Sequence, residues 1–328
     1  MPEDRRPARA LTYGMTSLRK LGSSGLEVFP LSLGGNVFGW TADEATSFAV
    51  LDAYTAAGGN FLDTADSYSA WVDGNSGGES ETIIGNWLAA RGNRDDVLIA
   101  TKVSQHPDYP GLSAANIKAA ADASLRRLGT DRIDLYYTHY DKPETPVEET
   151  IGALDELVKA GKVRAIGASN ISAARLAESL DFSDREGLAR YAALQPHYNL
   201  VSRDTYEGEL QAVASRQGLA AVPYSALASG FLTGKYRVGE TVESRRSAGA
   251  AKHLETERGR KVLAALDDIA ESHTVPVATV ALAWLAAQPT VAAPIASART
   301  VEQLPALLRV AELTLTEEEL GRLTEASA

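Results

Sequence analysis

An acid, a phenol, an amine and an imidazole stand at or just past the ends of three apolar runs. Asn60-Phe61-Leu62 stops at Asp63, and Tyr68 follows five residues later. Val97-Leu98-Ile99-Ala100-Thr101 stops at Lys102, and Ile133-Asp134-Leu135-Tyr136-Tyr137-Thr138 stops at His139. A tyrosine has an ordinary pKa of about 10 and is a poor acid at neutral pH unless its phenolate is stabilised. A nearby ammonium lowers that pKa through its charge, and Lys102 can supply it. Asp63 can pair with Lys102 and keep it protonated. His139 can hydrogen-bond the same oxygen that Tyr68 protonates. Such a set donates a proton to a carbonyl oxygen while hydride arrives at the carbon. None of the four is a hydride source, so a cofactor is required.

Taken singly, each residue has a plainer reading. A lone Asp after a strand is usually a turn or cap, a lone Lys points to solvent, and a loop Tyr or a single His packs. Their joint placement favours the functional reading, provided the strands that end on them are parallel and open onto one mouth.

The elements that would position them follow a regular scheme. Apolar strand-like stretches begin near residues 31, 61, 97, 134, 163, 192, 220 and 291. Most are spaced by about thirty residues, the size of a strand–helix unit with its loop. Helical stretches fill the intervals: 42–57, 79–91, 113–128, 147–160, one from 173, and 206–217. Ser113 reads as an N-cap, and Gly92, Gly129, Gly161 and Gly218 read as stops. The seventh strand, 220–224, and the eighth, 291–295, are separated by a long insertion with helices near 257–273 and 277–287. An insertion after a strand belongs on the catalytic face, where it can cover a ligand. Ahead of the first strand, 18–21 and 26–29 flank Gly22-Ser23-Ser24-Gly25 and suggest a hairpin that plugs the opposite end. The expected fold is α/β, a (β/α)8 TIM barrel with an N-terminal β-hairpin and a long insertion after the seventh strand. Residues 1–16 read as a flexible extension and 17–328 as a single domain.

The chain of 328 residues can bury a large core, with 45% apolar and 23% charged residues. Its 43 acidic against 32 basic residues give a net charge of −11, which argues against nucleic acid and anionic membranes as partners. No run approaches the eighteen or so apolar residues of a membrane span. With no cysteine, disulfides and thiolate metal sites are impossible, which suits a cytoplasmic setting. No His-x-His or carboxylate-rich cluster suggests a metal.

From residue 17 onward the chain resembles the aldo-keto reductases. The resemblance rests on 60–68 (Asn60-Phe61-Leu62-Asp63-Thr64-Ala65-Asp66-Ser67-Tyr68), Ala100-Thr101-Lys102, the run from Gly161 to Asn170, Gln195-Pro196-His197-Tyr198-Asn199-Leu200, and Tyr224-Ser225-Ala226-Leu227. It implies a catalytic tetrad of Asp63, Tyr68, Lys102 and His139, with Tyr68 as proton donor, and NADPH (NADP+) bound without a Rossmann unit. The chain also lacks a well-placed Gly-x-Gly-x-x-Gly fingerprint. The resemblance further implies that Ser169, Asn170 and Gln195 hydrogen-bond the carboxamide and that Tyr224 stacks on the nicotinamide. Ser225, Leu227, Gly230, Leu232 and Lys235 would line the pyrophosphate, and Ser297, Arg299 and Gln303 would hold the 2′-phosphate. Two positions depart from the family pattern: Ser297 where relatives often have Gly, and Leu307 where they often have Asn.

Phe38, Trp40, Trp71, His106 and Tyr140 fall on loops near the expected mouth and suggest a partly apolar, aromatic-lined pocket for a small-molecule carbonyl. The competing reading is a cofactor-sensing regulatory subunit on the same scaffold, like the channel β-subunits of this family, since fold alone does not fix function.

Overall fold

A computed structural model of the protein describes residues 17–237 and 247–328. The expected extension, residues 1–16, lies outside the described residues. A hairpin of β1 (Arg19–Lys20) and β2 (Glu27–Val28) precedes the barrel. The barrel strands are β3 (Ser32–Gly34), β4 (Phe61–Asp63), β5 (Leu98–Val103), β8 (Ile133–Thr138), β9 (Val163–Ser169), β10 (Tyr191–Gln195), β11 (Ala220–Ala221) and β12 (Ile295–Ala296). A small hairpin, β6 (Gln105–His106) with β7 (Tyr109–Pro110), rises after β5. All eight barrel strands run parallel, in the order β11-β10-β9-β8-β5-β4-β3-β12. The two ends of that order meet through Ala221 and Val291: the Ala221 amide donates to Thr290 (2.7 Å), and Ala292 donates back to Ala221 (2.9 Å).

The last two strands are shorter than the sequence suggests, and proline is the reason. The stretch 220–224 holds Pro223 and the stretch 291–295 holds Pro294, and a proline has no N–H for a ladder. Each contributes only its carbonyl, Pro223 to Ile295 (2.9 Å) and Pro294 to Ser32 (2.9 Å). The eighth strand therefore sits at 295–296, four residues later than the expected start.

Side-chain alternation sorts each strand into an inner and an outer set. Phe61, Leu98, Ala100, Leu135 and Tyr137 share one apolar cluster with Ala165, Ala193 and Ala220, which fills the barrel. Leu62, Ile99, Val103 and Tyr136 join the larger cluster under the helices. Two steps on from Phe61, Ala100 and Tyr137 lie Asp63, Lys102 and His139, so one parity rule turns all three to the same inner space. The hairpin closes the other end as expected, with Leu21, Leu26 and Val28 in the inner cluster. Gly22 makes that fit possible: a Cβ there would lie 2.2 Å from the Ala192 carbonyl oxygen.

Helices α1 (Glu44–Ala56), α2 (Glu79–Arg91), α3 (Ala114–Leu128), α4 (Val147–Lys159), α5 (Ala173–Glu186) and α6 (Glu209–Arg216) cover the outside. Ser113 caps α3 by accepting from the Asn116 amide, and Gly129 ends it in the left-handed region (φ 62°). The sequence places the start of α6 at Tyr206, but Gly208 at φ 98°, ψ −128° breaks the helix, which starts at Glu209. The insertion carries α7 (Ser247–Leu254), α8 (Glu257–His273) and α9 (Val277–Ala286), and the chain ends with α10 (Leu304–Leu308) and α11 (Glu317–Ala326). Among the described residues no single helix is long and apolar enough to cross a membrane; α8 and α9 reach that composition only as a pair bent by 101°.

Candidate active site

Lys102 is the pivot of the site and is fully buried. Its Nζ donates to Asp63 Oδ2 (2.7 Å), to the Thr64 carbonyl (2.6 Å) and to the Tyr68 hydroxyl (3.0 Å). The Tyr68 hydroxyl is in turn 3.4 Å from Asp63 Oδ2. Three donor positions of one ammonium are thus used, which fixes where the phenol oxygen stands. Burial pulls the Lys102 pKa down, while Asp63 pulls it back up. A buried ammonium stripped of its carboxylate would carry a large desolvation cost.

The phenol itself departs from the sequence expectation. Burial first, and the Asp63 charge second, hold the Tyr68 pKa well above its ordinary value rather than below it. The cause is geometric: Asp63 offsets the Lys102 charge and also faces the phenol directly. Tyr68 therefore keeps its proton at neutral pH, as a proton donor must. His139 follows β8, and its backbone amide donates to Val103 (2.9 Å). Burial, then the Lys102 charge, push its pKa well below the usual imidazole value, so the ring is neutral. Its ring stands 6.1 Å from that of Tyr68, and its Nδ1 is enclosed without a hydrogen-bond partner.

Asp63, Tyr68 and His139 line a cavity of about 540 Å³, with Lys102 buried behind them. Of the residues implied as cofactor contacts, Ser169, Asn170, Gln195, Tyr224, Ser225, Leu227, Gly230, Lys235, Ser297, Arg299 and Gln303 all line it. Several are bonded to one another. The Tyr224 hydroxyl donates to Asn170 Oδ1 (2.8 Å), the Asn170 amide donates to the His139 carbonyl (2.8 Å), and the Ser169 hydroxyl donates to the Gln195 carbonyl (2.8 Å). Gln195 has a part the sequence reading missed: its Nε2 donates to Asp63 Oδ1 (2.8 Å), so it also orients the tetrad carboxylate. Ser297 donates to Asn36 Oδ1 (2.7 Å). Asn36, Ser229, Thr233, Pro276 and Ala306 line the cavity without having been singled out. Asn36 was discoverable as the residue just past Gly34-Gly35; the others come from the insertion and the C-terminal helices.

Four expected residues do not reach the cavity wall. Leu232, within the short 3-10 segment Ala228–Thr233, is fully buried and packs in the outer core. Phe38, 1% exposed, is a core residue rather than a mouth residue. His106 is buried in the β6–β7 hairpin, where its Nδ1 accepts from the Asp108 amide (3.0 Å). Trp71 is 53% exposed and stands edge-on to Trp40 (5.7 Å) and Tyr68 (6.1 Å) at the rim. Trp40 and Tyr140 do line the cavity, with Tyr140 tilted against His139 at 5.1 Å.

Residues 30–328 match the profile of the Aldo/keto reductase family. The chain is 34% identical to Protein tas of Escherichia coli (strain K12), over 92% of this chain and 94% of that protein. It is 36% identical to Uncharacterized oxidoreductase YrpG of Bacillus subtilis (strain 168), over 93% of this chain and 94% of that protein. It is 34% identical to Norsolorinic acid reductase stcV of Emericella nidulans, over 92% of this chain and 79% of that protein.

Proposed function

Because the chain belongs to the aldo/keto reductase family, a family of oxidoreductases, we propose that it reduces an aldehyde or ketone to an alcohol with NADPH, Tyr68 giving the proton. The observation that carries this is the Tyr68 hydroxyl, held 3.0 Å from the Lys102 ammonium on the cavity wall. A protonated phenol there can donate to a carbonyl oxygen, and the ammonium behind it stabilises the phenolate that remains. Neutral His139 can hold the same carbonyl oxygen, and Asp63 keeps Lys102 charged.

The residues fit a nicotinamide dinucleotide. Lys235 and Arg299 line the cavity, and neither pairs with a carboxylate among the described residues. Unpaired cations at a cavity wall suit phosphates. Ser169, Asn170 and Gln195 would hold the carboxamide, and Tyr224 would stack on the ring. Ser225, Leu227, Gly230 and Lys235 would line the pyrophosphate, with Ser297, Arg299 and Gln303 at the 2′-phosphate. When bound, NADPH supplies the hydride. Trp40, Trp71 and Tyr140 around the mouth support an aromatic carbonyl as substrate.

The test is NADPH oxidation followed across a panel of aromatic aldehydes and ketones. Turnover of members of the panel supports the reading. Tight NADPH retention with no turnover of any carbonyl contradicts it.

A further inference from the structure

A closed ring of contacts runs behind the tetrad, on the outer side of the barrel wall. Thr101 precedes Lys102, so by strand alternation it points away from the barrel, toward the helices. There its hydroxyl donates to Glu81 Oε1 (2.5 Å), on α2. Glu81 is fully buried, and its Oε2 accepts from Arg127 Nε (2.6 Å), on α3. The Arg127 side chain packs closely against Gly78, the residue just before α2: a Cβ on Gly78 would lie 2.3 Å from Arg127 Nε. Gly78 stands at φ 85°, and its amide donates to the Tyr68 carbonyl (3.3 Å). From Tyr68 the ring closes on the site itself, because the Tyr68 hydroxyl is 3.0 Å from Lys102 Nζ.

We infer that Thr101, Glu81 and Arg127 are positioning residues that clamp the Tyr68 loop to the strand carrying Lys102, and so set the distance between phenol and ammonium. The inference rests on Tyr68 being the proton donor. The clamp is built for rigidity. A buried carboxylate bonded on both oxygens, to a hydroxyl and to a guanidinium, holds two helices and one strand in a single geometry. Asp66 lies in the same layer, fully buried, with neither carboxylate oxygen hydrogen-bonded. Burial first, then the Glu81 charge, hold its pKa well above the ordinary carboxylate range. Asp66 makes no hydrogen bond to Arg127, whose Nε is bonded to Glu81 instead. None of these groups lines the cavity, so none touches substrate or cofactor.

The test uses Thr101→Val, which deletes one hydroxyl and keeps the strand-forming shape, and Glu81→Gln, which deletes the charge. Thr101→Val carries the test should Glu81→Gln fail to fold. Three quantities are read: kcat for carbonyl reduction at saturating substrate, NADPH affinity by fluorescence titration, and the same kcat in a Tyr68→Phe background. A misplacement on the scale of 1 Å costs as much as about 100-fold in rate, so kcat should fall by about 10- to 100-fold. NADPH affinity should not change. In the Tyr68→Phe background the clamp variants should cost nothing further, because their effect runs through that hydroxyl. Wild-type kcat in Thr101→Val overturns the clamp alone, as does an equal loss with and without the Tyr68 hydroxyl. A Tyr68→Phe single variant with near-native kcat overturns the proton-donor reading beneath it.

Discussion

The two halves of the barrel are built differently. On one side β5, β8 and β9 are six, six and seven residues long and pair along most of their length. On the other, β11 and β12 have two residues each and are broken by Pro223 and Pro294. The tetrad stands on or just beside the regular half. The groups assigned to the cofactor's phosphates stand on the irregular one, where Ser225, Ala228 and Ser229 take left-handed backbone angles (φ 54°, 47° and 57°). Such angles are uncommon away from glycine and cost roughly 1–2 kcal/mol per residue. A proton transfer needs a fixed distance, which ladders give. A long ligand needs backbone groups turned toward it, which only loops can offer. Lesions in the regular half should therefore damage chemistry and folding together, and lesions in the irregular half should damage affinity alone.

Lys102→Met should have the largest effect. It leaves Asp63 buried, 2% exposed, without its ion-pair partner. Breaking a buried pair typically costs about 3–5 kcal/mol, so Tm should drop clearly. Reduction should fall by at least the ~10²–10⁴-fold worth of general acid catalysis. The sign on pH follows from charge. Without the ammonium the Tyr68 pKa, already high, rises further, so the reverse reaction, which needs the phenolate, moves to higher pH. Wild-type Tm and an unchanged pH profile would erase the contrast between the halves.

Arg299→Ala tests the other half. Hydrogen bonds to a charged group contribute enough to change affinity by about 10- to 150-fold. NADPH binding should weaken by about that factor, NADH binding and Tm should not move, and kcat at saturation should hold. Equal weakening of both cofactors would remove the 2′-phosphate from the assignment.

The smallest effect concerns pH and stability at His139. Its folded pKa lies well below the imidazole value of about 6.5 in the unfolded chain. Between those two values the unfolded chain binds more protons, so stability is lost as pH falls from about 6.5 toward the folded pKa. His139→Gln should flatten the decline of Tm in that window. An unchanged slope would assign the acid sensitivity to other buried groups.

The regular half was the legible half. Asp63, Lys102 and His139 each close an apolar run, and period-two alternation was enough to aim them inward. Ser113 and Gly129 likewise marked α3 from residue type alone. Four kinds of feature stayed hidden. Pro223 and Pro294 shortened strands whose apolar composition read as continuous. Phe38 and His106 carry mouth-like residue types but are buried by packing, which a linear pattern does not encode. α11 was overlooked although Thr316 and Glu319 form a capping box. The Gln195–Asp63 bond spans 132 residues, and no local pattern in the sequence marks such a pair.

The proton-donor role of Tyr68 is tested most directly by Tyr68→Phe, which removes one oxygen and leaves the ring. Single-turnover reduction should slow by about 10²–10⁴-fold, the usual worth of a general acid, while NADPH binds with wild-type affinity. A Tyr68→Phe protein that reduces carbonyls at a near-native rate would contradict that role.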